Sequence, residues 1–360
     1  MILLAALTLA LTGCVLPTQA VDLEGQLWEQ MGTSALEDAA EGMFSVKEGT
    51  NLQKGLGVLA SQASEQVDAV LHSAFRSAGF MLLVVLFCGV GSTLFQSGQS
   101  AMTRTADLVG VTVITLVAVS DTASMLGLGR EAIDQIDAFS KVLIPTMATA
   151  TAACGSVTGA VVRQAATLLF SDLLITLINR VLIPLVYLYI AVTAATAALG
   201  SKGIAAIAGF MKKGVKGVMT AILLVFTGYL TLSGAAAGAA DATALKATRM
   251  AISSMVPVVG GILSDATETV LTGASAIRSG IGIFGTLVIL GFCVVPFLYL
   301  GVQYLVYKLV AMLASVLYQG TISDLIDQIG AAFGLVLGML GSCALLVLLS
   351  LIGTISVAMT

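Results

Sequence analysis

Six ionisable side chains stand in or beside long apolar runs: Asp121, Asp172, Arg180, Asp265, Glu268 and Lys308. A charge at bilayer depth is costly, so such residues face a hydrated cavity or one another and mark ion paths or proton relays. On that reading Asp121, Asp172, Arg180, Asp265 and Glu268 are candidates to line a polar path through the membrane. Asp265 and Glu268 are three residues apart and would share one helix face. The competing reading puts each charge at a helix end or at the interface, with Arg180 and Lys308 snorkelling.

Other chemistry is poorly supplied. The chain has one histidine, His72, and five cysteines, Cys14, Cys88, Cys154, Cys293 and Cys343, no two of them in a C-x-x-C pair. That leaves little from which to build a His/Cys zinc site or a Ser-His-Asp triad. Gly280-x-Gly282-x-x-Gly285 has the spacing of a dinucleotide fingerprint, but it follows no strand and opens an apolar run. No Walker A lysine motif is present. The sequence points away from a conventional enzyme, and no catalytic residue, cofactor or metal ligand is assigned. A net charge of -4 argues against a nucleic-acid partner.

The elements that must position these charges are membrane helices. Of 360 residues, 58% are hydrophobic and only 10% charged, and the mean hydropathy is +1.04. Water cannot solvate a surface built from so few charges, so lipid must cover much of it. The expected fold class is an all-α, polytopic helical membrane protein. Apolar stretches near the ~20 residues that span a bilayer are Ala78–Gln96, Leu108–Leu128, Val142–Val162, Val181–Leu199, Val218–Ala240, Ile281–Tyr307 and Ala331–Val357. Ala165–Ile178 is short, and Met255–Ala276 is interrupted by Asp265 and Glu268. The expectation is six to nine crossings. Ile322, Leu325, Ile326 and Ile329 predict a short amphipathic surface helix, opened by a capping box at Thr321 and Asp324. G-x-x-x-G recurs at Gly155–Gly159, Gly234–Gly238 and Gly334–Gly338 and permits close helix contact.

Residues 1–20 read as a signal peptide: an apolar run to Leu16, then Pro17 and small residues before a cleavage point after Ala20. No Lys or Arg precedes that run. Leu11-Thr12-Gly13-Cys14 also resembles a lipobox, which would put a lipid on Cys14. Residues 21–76 carry nine acidic residues, Asp22 to Asp68, against Lys47, Lys54 and Arg76. They suit an extracytoplasmic segment, either a solvated helical region or a docking surface. Within it Leu52, Leu56, Leu59 and Ala63 have helical spacing. The polytopic domain covers residues 77–360. Lys202, Lys212, Lys213 and Lys216 mark a cytoplasmic loop, and Arg104 and Arg163 are expected on that side. The acidic stretch Glu131, Asp134 and Asp137 is expected in an outside loop.

Four of the five prolines share a setting. Val142-Leu143-Ile144-Pro145 recurs as Val181-Leu182-Ile183-Pro184, and Met255-Val256-Pro257 is followed by Val294-Val295-Pro296. Within each pair the prolines are 39 residues apart. Residues 140–200 and 252–312 therefore read as two copies of one unit, packed about a pseudo-symmetry axis. The other reading is that apolar residues before a kinking proline are common in membrane helices. Pro145, Pro184, Pro257 and Pro296 are the candidate kinks.

Two stretches carry a family resemblance: Phe226-Thr227-Gly228-Tyr229-Leu230-Thr231-Leu232-Ser233-Gly234 with Asp241 through Lys246, and Met255-Val256-Pro257-Val258-Val259-Gly260-Gly261-Ile262-Leu263-Ser264-Asp265-Ala266. With the order of signal peptide, acidic segment and Gly-rich spans, the chain resembles the stage III sporulation protein AE family over nearly its full length. The resemblance implies a subunit of the sporulation channel complex between mother cell and forespore. Its partners would be the other stage III sporulation A-operon proteins and, across the gap, stage II sporulation protein Q. Its place would be the mother-cell membrane around the forespore. The family brings no established catalytic residues. The rival reading is an autonomous secondary transporter of a small solute.

Overall fold

The computed structural model describes residues 33–40, 52–94, 100–154, 157–255, 260–317 and 321–356, all of them helix apart from short turns and with no strand among them. The chain is an all-α polytopic membrane protein. Its helices are α1 (Thr33–Ala39), α2 (Leu52–Leu94), α3 (Ser100–Ala153), α4 (Val157–Leu177), α5 (Ile183–Leu199), α6 (Lys202–Met255), α7 (Gly260–Leu317) and α8 (Thr321–Ser356). A π-helical turn, Ile178–Leu182, joins α4 to α5 without a break. Six stretches among the described residues are long and apolar enough to cross a membrane: Gln53–Gly91, Leu108–Ala153, Gln164–Leu199, Lys202–Leu232, Ser275–Leu317 and Thr321–Ile352.

The centre is the α7–α8 hairpin. The most apolar windows of these two spans are each 61% buried, against 17–33% for the other four, which wrap around the pair. The α7–α8 contact is the most extensive in the molecule. It is built from residues such as Leu287, Val288, Phe284, Phe333, Leu340 and Leu346, all buried. Small residues allow α3 to approach the pair. A Cβ on Gly285 would stand 2.7 Å from Leu143 Cδ2, and one on Gly129 would stand 2.8 Å from Val336 Cγ1. Of the three G-x-x-x-G pairs, Gly334 lies against Tyr304 of α7 and Gly338 against Met219 of α6. The other two pairs fall on residues whose side chains lie outside the description.

Contacts along the helices fix their directions. Gly55 of α2 meets Leu287, whereas the far end of α2 brings Cys88 to Gly110, beside Ile322. α3 then runs from Gly110 to Leu143, which meets Gly285. The α4–α5 span starts near Thr167, hydrogen-bonded to Ser350, and passes Tyr189, bonded to Gln328. The spans therefore alternate, and Gln53 and Ile352 emerge at the same end of the bundle. The opposite end carries the Gly200–Ser201 turn, where Gly200 takes the left-handed conformation (φ 66°) and its N–H closes α5 on Thr196 O. A glycine fits there because a Cβ would strain that backbone.

Several expectations change. Residues 130–141 are not a loop: α3 runs through them, because Ala132, Ile133, Ile136 and Phe139 form a buried stripe at helical spacing behind the charges. Leu108–Leu128 and the first part of Val142–Val162 thus belong to one helix, and Pro145 sits inside it. Ala165–Ile178 and Val181–Leu199 likewise merge through the π-turn. With these mergers Lys202 stays at the end where α2 finishes, as the alternation of spans requires, but Arg163 moves to the opposite end. The amphipathic segment after Thr321 is the first turns of α8 itself, with Ile322, Leu325, Ile326 and Ile329 buried against the bundle. In α2, Leu59 is buried but Leu56 is 47% exposed, so the inward stripe runs instead through Val70, Ala74, Met81 and Val85.

The prolines have different local settings. Pro145 and Pro296 lie inside continuous helices. Pro184 follows the π-turn, whose Ile183 N–H reaches back to Ile178 O. The wider turn makes room for a ring that would clash with the preceding carbonyl. Pro257 lies outside the described residues, as do residues 1–32, with Cys14 and Ala20 among them.

Candidate functional site

Two polar layers cross the bundle. The first is closed. Asp121 of α3 accepts hydrogen bonds at its Oδ2 from Gln303 Nε2 (3.1 Å) and Tyr307 Oη (2.9 Å), both on α7. Tyr307 is fully buried and packs edge-on against Phe333, with ring centroids 4.9 Å apart. Beside Asp121, Thr122 Oγ1 is buried with no hydrogen-bond partner among the described residues. One residue along α7, Lys308 Nζ donates to Asp327 Oδ1 (2.5 Å) and to Asp327 O (3.1 Å) of α8. Tyr189 Oη of α5 donates to Gln328 O at 3.1 Å. Lys212 of α6 lies within electrostatic reach of Lys308 and Asp327. Five helices thus place polar groups at one level, and the carboxylate at its centre is held by neutral donors.

The second layer is open. On α3, Arg130, Glu131, Asp134 and Lys141 are exposed. Gly127, Arg130, Glu131, Asp134, Gln135 and Ala138 line a shallow cleft of about 430 Å³. Lys141 Nζ pairs with Asp137 Oδ2 at 2.7 Å, and Arg130 Nε stands 3.9 Å from Asp134 Oδ2. From the π-turn, Asn179 Nδ2 donates to Asp134 Oδ1 at 3.2 Å. Asp172 and Arg180 are exposed on the same span, and Asp172 lies within electrostatic reach of Lys141.

The depth of these layers follows from helix geometry. Asp121 and Asp134 are 13 residues apart on one continuous helix, an axial separation of about 20 Å at ~1.5 Å per residue. The hydrocarbon core is about 30 Å thick, so the two layers cannot sit at its opposite faces. On α6, α7 and α8 the closed layer falls where apolar stretches begin or end: Lys216 precedes Val218, Lys308 follows Tyr307, and Asp327 precedes Ala331. If that level is the membrane boundary, the open layer lies inside the core. The apolar stretches of α3 and of α6–α8 are out of step by about 20 Å, and the exposed charges of α3 stand opposite the apolar middle of α7 and α8.

The polar-path candidates therefore separate. Asp121 is half-buried between α3 and α7, bonded to Gln303 and Tyr307. Asp172 and Arg180 are on the outer face, near the cleft. Asp265 and Glu268 fall on α7, but their side chains lie outside the description. Gln303 and Tyr307 had not been singled out, although two polar groups at i and i+4 on an otherwise apolar helix are a readable sign of an inward polar contact. Arg278, 1% exposed, had also been passed over. No cluster of three or more potential metal ligands occurs among the described residues.

Comparison with known proteins places these features in context. A family model described as stage III sporulation protein AE matches residues 49–359. The stage III sporulation protein AE of Bacillus subtilis (strain 168) is 23% identical over 276 residues, which cover 76% of this chain and 69% of that protein. No solved structure matches.

Proposed function

This chain belongs to the stage III sporulation protein AE family, which implies involvement in sporulation, and from that premise we propose that it is a membrane subunit of the sporulation channel complex between mother cell and forespore. Its place is the mother-cell membrane around the engulfed forespore. Its partners are the other proteins of the stage III sporulation A operon and, indirectly, stage II sporulation protein Q on the forespore side. It is not an enzyme and needs no cofactor.

The observation that supports this reading is the open polar layer. Exposed Glu131, Asp134, Asp172 and Arg180 cannot face acyl chains at acceptable cost. In the membrane they need water or another protein against them, and a subunit of a larger assembly meets that need. The closed layer argues against the self-sufficient transporter: Tyr307 and Phe333 pack beside Asp121, the polar-path candidate that, among those whose side chains are described, bonds to α7.

The first test is a fluorescent fusion imaged in the host during growth and sporulation. The reading expects signal only in sporulation, concentrated around the forespore. Uniform signal in the membrane of growing cells would sink it. Reconstitution separates the rival: transport of a small solute by the chain alone in liposomes would favour a transporter.

A further inference from the structure

We propose that Lys212 and Lys216, where α6 meets the Lys308–Asp327 pair of α7 and α8, bind the phosphate of an anionic phospholipid.

The argument begins with charge. Lys212 is half-buried and has Lys308, Lys216 and Asp327 within electrostatic reach. Asp327 is already engaged by Lys308 through its Oδ1 and its carbonyl oxygen. Among the described residues Asp327 is thus the one carboxylate within electrostatic reach of Lys212, and Lys308 already holds it. Lys212 and Lys216 form no hydrogen bond or ion pair among the described residues. Like charges held together away from bulk water are unfavourable unless an anion joins them. Along these helices Lys202, Lys212, Lys213, Lys216 and Lys308 face only Asp324 and Asp327 as described carboxylates. The rule that favours lysine on the cytoplasmic side asks only for lysines at this end. It does not ask for one held half-buried within electrostatic reach of a second ammonium.

Position selects the kind of anion. The lysine level coincides with the boundary of the apolar stretches on α6, α7 and α8, which is where lipid headgroups lie. Basic pockets between helices at that level recognise anionic headgroups. Leu305, one turn along α7 from Lys308 toward the apolar side, is 59% exposed, and an acyl chain can lie against it. A headgroup phosphate can accept from Lys212 Nζ and Lys216 Nζ without breaking the Lys308–Asp327 pair.

The test uses the full chain purified in a neutral detergent, with binding read by native mass spectrometry and thermal melting. Phosphatidylglycerol, phosphatidylcholine and inorganic phosphate are added in separate arms. Phosphatidylglycerol should bind and raise the melting point, phosphatidylcholine should bind at least about tenfold more weakly, and inorganic phosphate should not protect. Each lysine removed should weaken phosphatidylglycerol binding about fivefold, so Lys212→Gln/Lys216→Gln loses about 25-fold. Lys213→Gln, on another face of α6, should stay within about twofold of the parent, since it removes a charge outside the cluster. If the double variant does not fold, exposed Lys216→Gln alone carries the test at the fivefold level. Equal binding of the two lipids, or lysine variants that bind like the parent, would overturn the proposal. Protection by inorganic phosphate equal to that by phosphatidylglycerol would make this a soluble-anion site and overturn it as well.

Discussion

Replacing Tyr307 by Phe removes one oxygen and nothing else from a fully buried ring. The ring's edge-on contact with Phe333 survives, so the loss isolates the 2.9 Å hydrogen bond to Asp121 Oδ2. A hydrogen bond to a charged group is worth about 1.5–3 kcal/mol, and the carboxylate would keep only the Gln303 donor. The expected cost of Tyr307→Phe is therefore about 2 kcal/mol. Asp121→Asn retains an oxygen that accepts from Tyr307 while removing a charge, so it should cost less. The double variant should show a coupling of about 1 kcal/mol or more, as expected for residues in one hydrogen-bonded network. Replacing all three groups at once, with Asp121→Leu, Gln303→Leu and Tyr307→Phe, should recover much of the loss, since exchanging a whole buried polar set for apolar groups is often near neutral. The assay is the thermal unfolding midpoint of purified protein in a mild detergent, compared across the cycle. A Tyr307→Phe protein that melts like the parent, or strictly additive single changes, would show that the closed layer contributes nothing.

Two further outcomes follow from packing and burial. Gly285→Val places atoms against Leu143, which is fully buried, and should cost about 1–3 kcal/mol, whereas Gly209→Ala, with nothing within 4 Å of the added Cβ, should cost nothing and gain up to about 1 kcal/mol from the helix preference of Ala over Gly. The same melting assay reads both, and equal effects would refute the close approach. Cys154 is half-buried while Cys88, Cys293 and Cys343 are buried, so as a single-cysteine variant it should label with a maleimide faster than any of those three. Burial pushes its thiol pKa up and Arg278 pulls it down, so its rate should keep climbing with pH beyond the usual thiol midpoint of about 8.5. Arg278→Gln should push the midpoint higher still. A plateau below the usual midpoint would refute this reading of its surroundings.

The fold was largely legible from apolar run lengths, because a spanning helix leaves a continuous apolar signature. What misled was charge. Arg130, Glu131, Asp134, Asp137 and Lys141 read as a loop, yet Ile133, Ile136 and Phe139 at helical spacing were present behind them. A span with one charged face carries two signals at once, and the hydropathy average keeps only the first. The i, i+4 spacing of Gln303 and Tyr307 signals an inward polar contact but not its partner: Asp121 lies 182 and 186 residues away, and only the packing of α3 on α7 brings them together. The π-turn at Ile178–Leu182 was equally hidden, since Pro184 announces a distortion but not its form.

The alternation of the six spans has a practical consequence for reporters. Six spans among the described residues put a tag beyond Ile352 in the same compartment as one inserted directly before Gln53. A fluorescent protein that matures only in the cytoplasm would be dark, or bright, at both positions together. If the lysine-rich end is cytoplasmic, both fusions are dark. A cytoplasmic label then has to be spliced into the connection at 95–99, the Gly200–Ser201 turn or the connection at 318–320. The Gly200–Ser201 turn is the poorest choice, because the left-handed glycine that closes α5 would be lost with it.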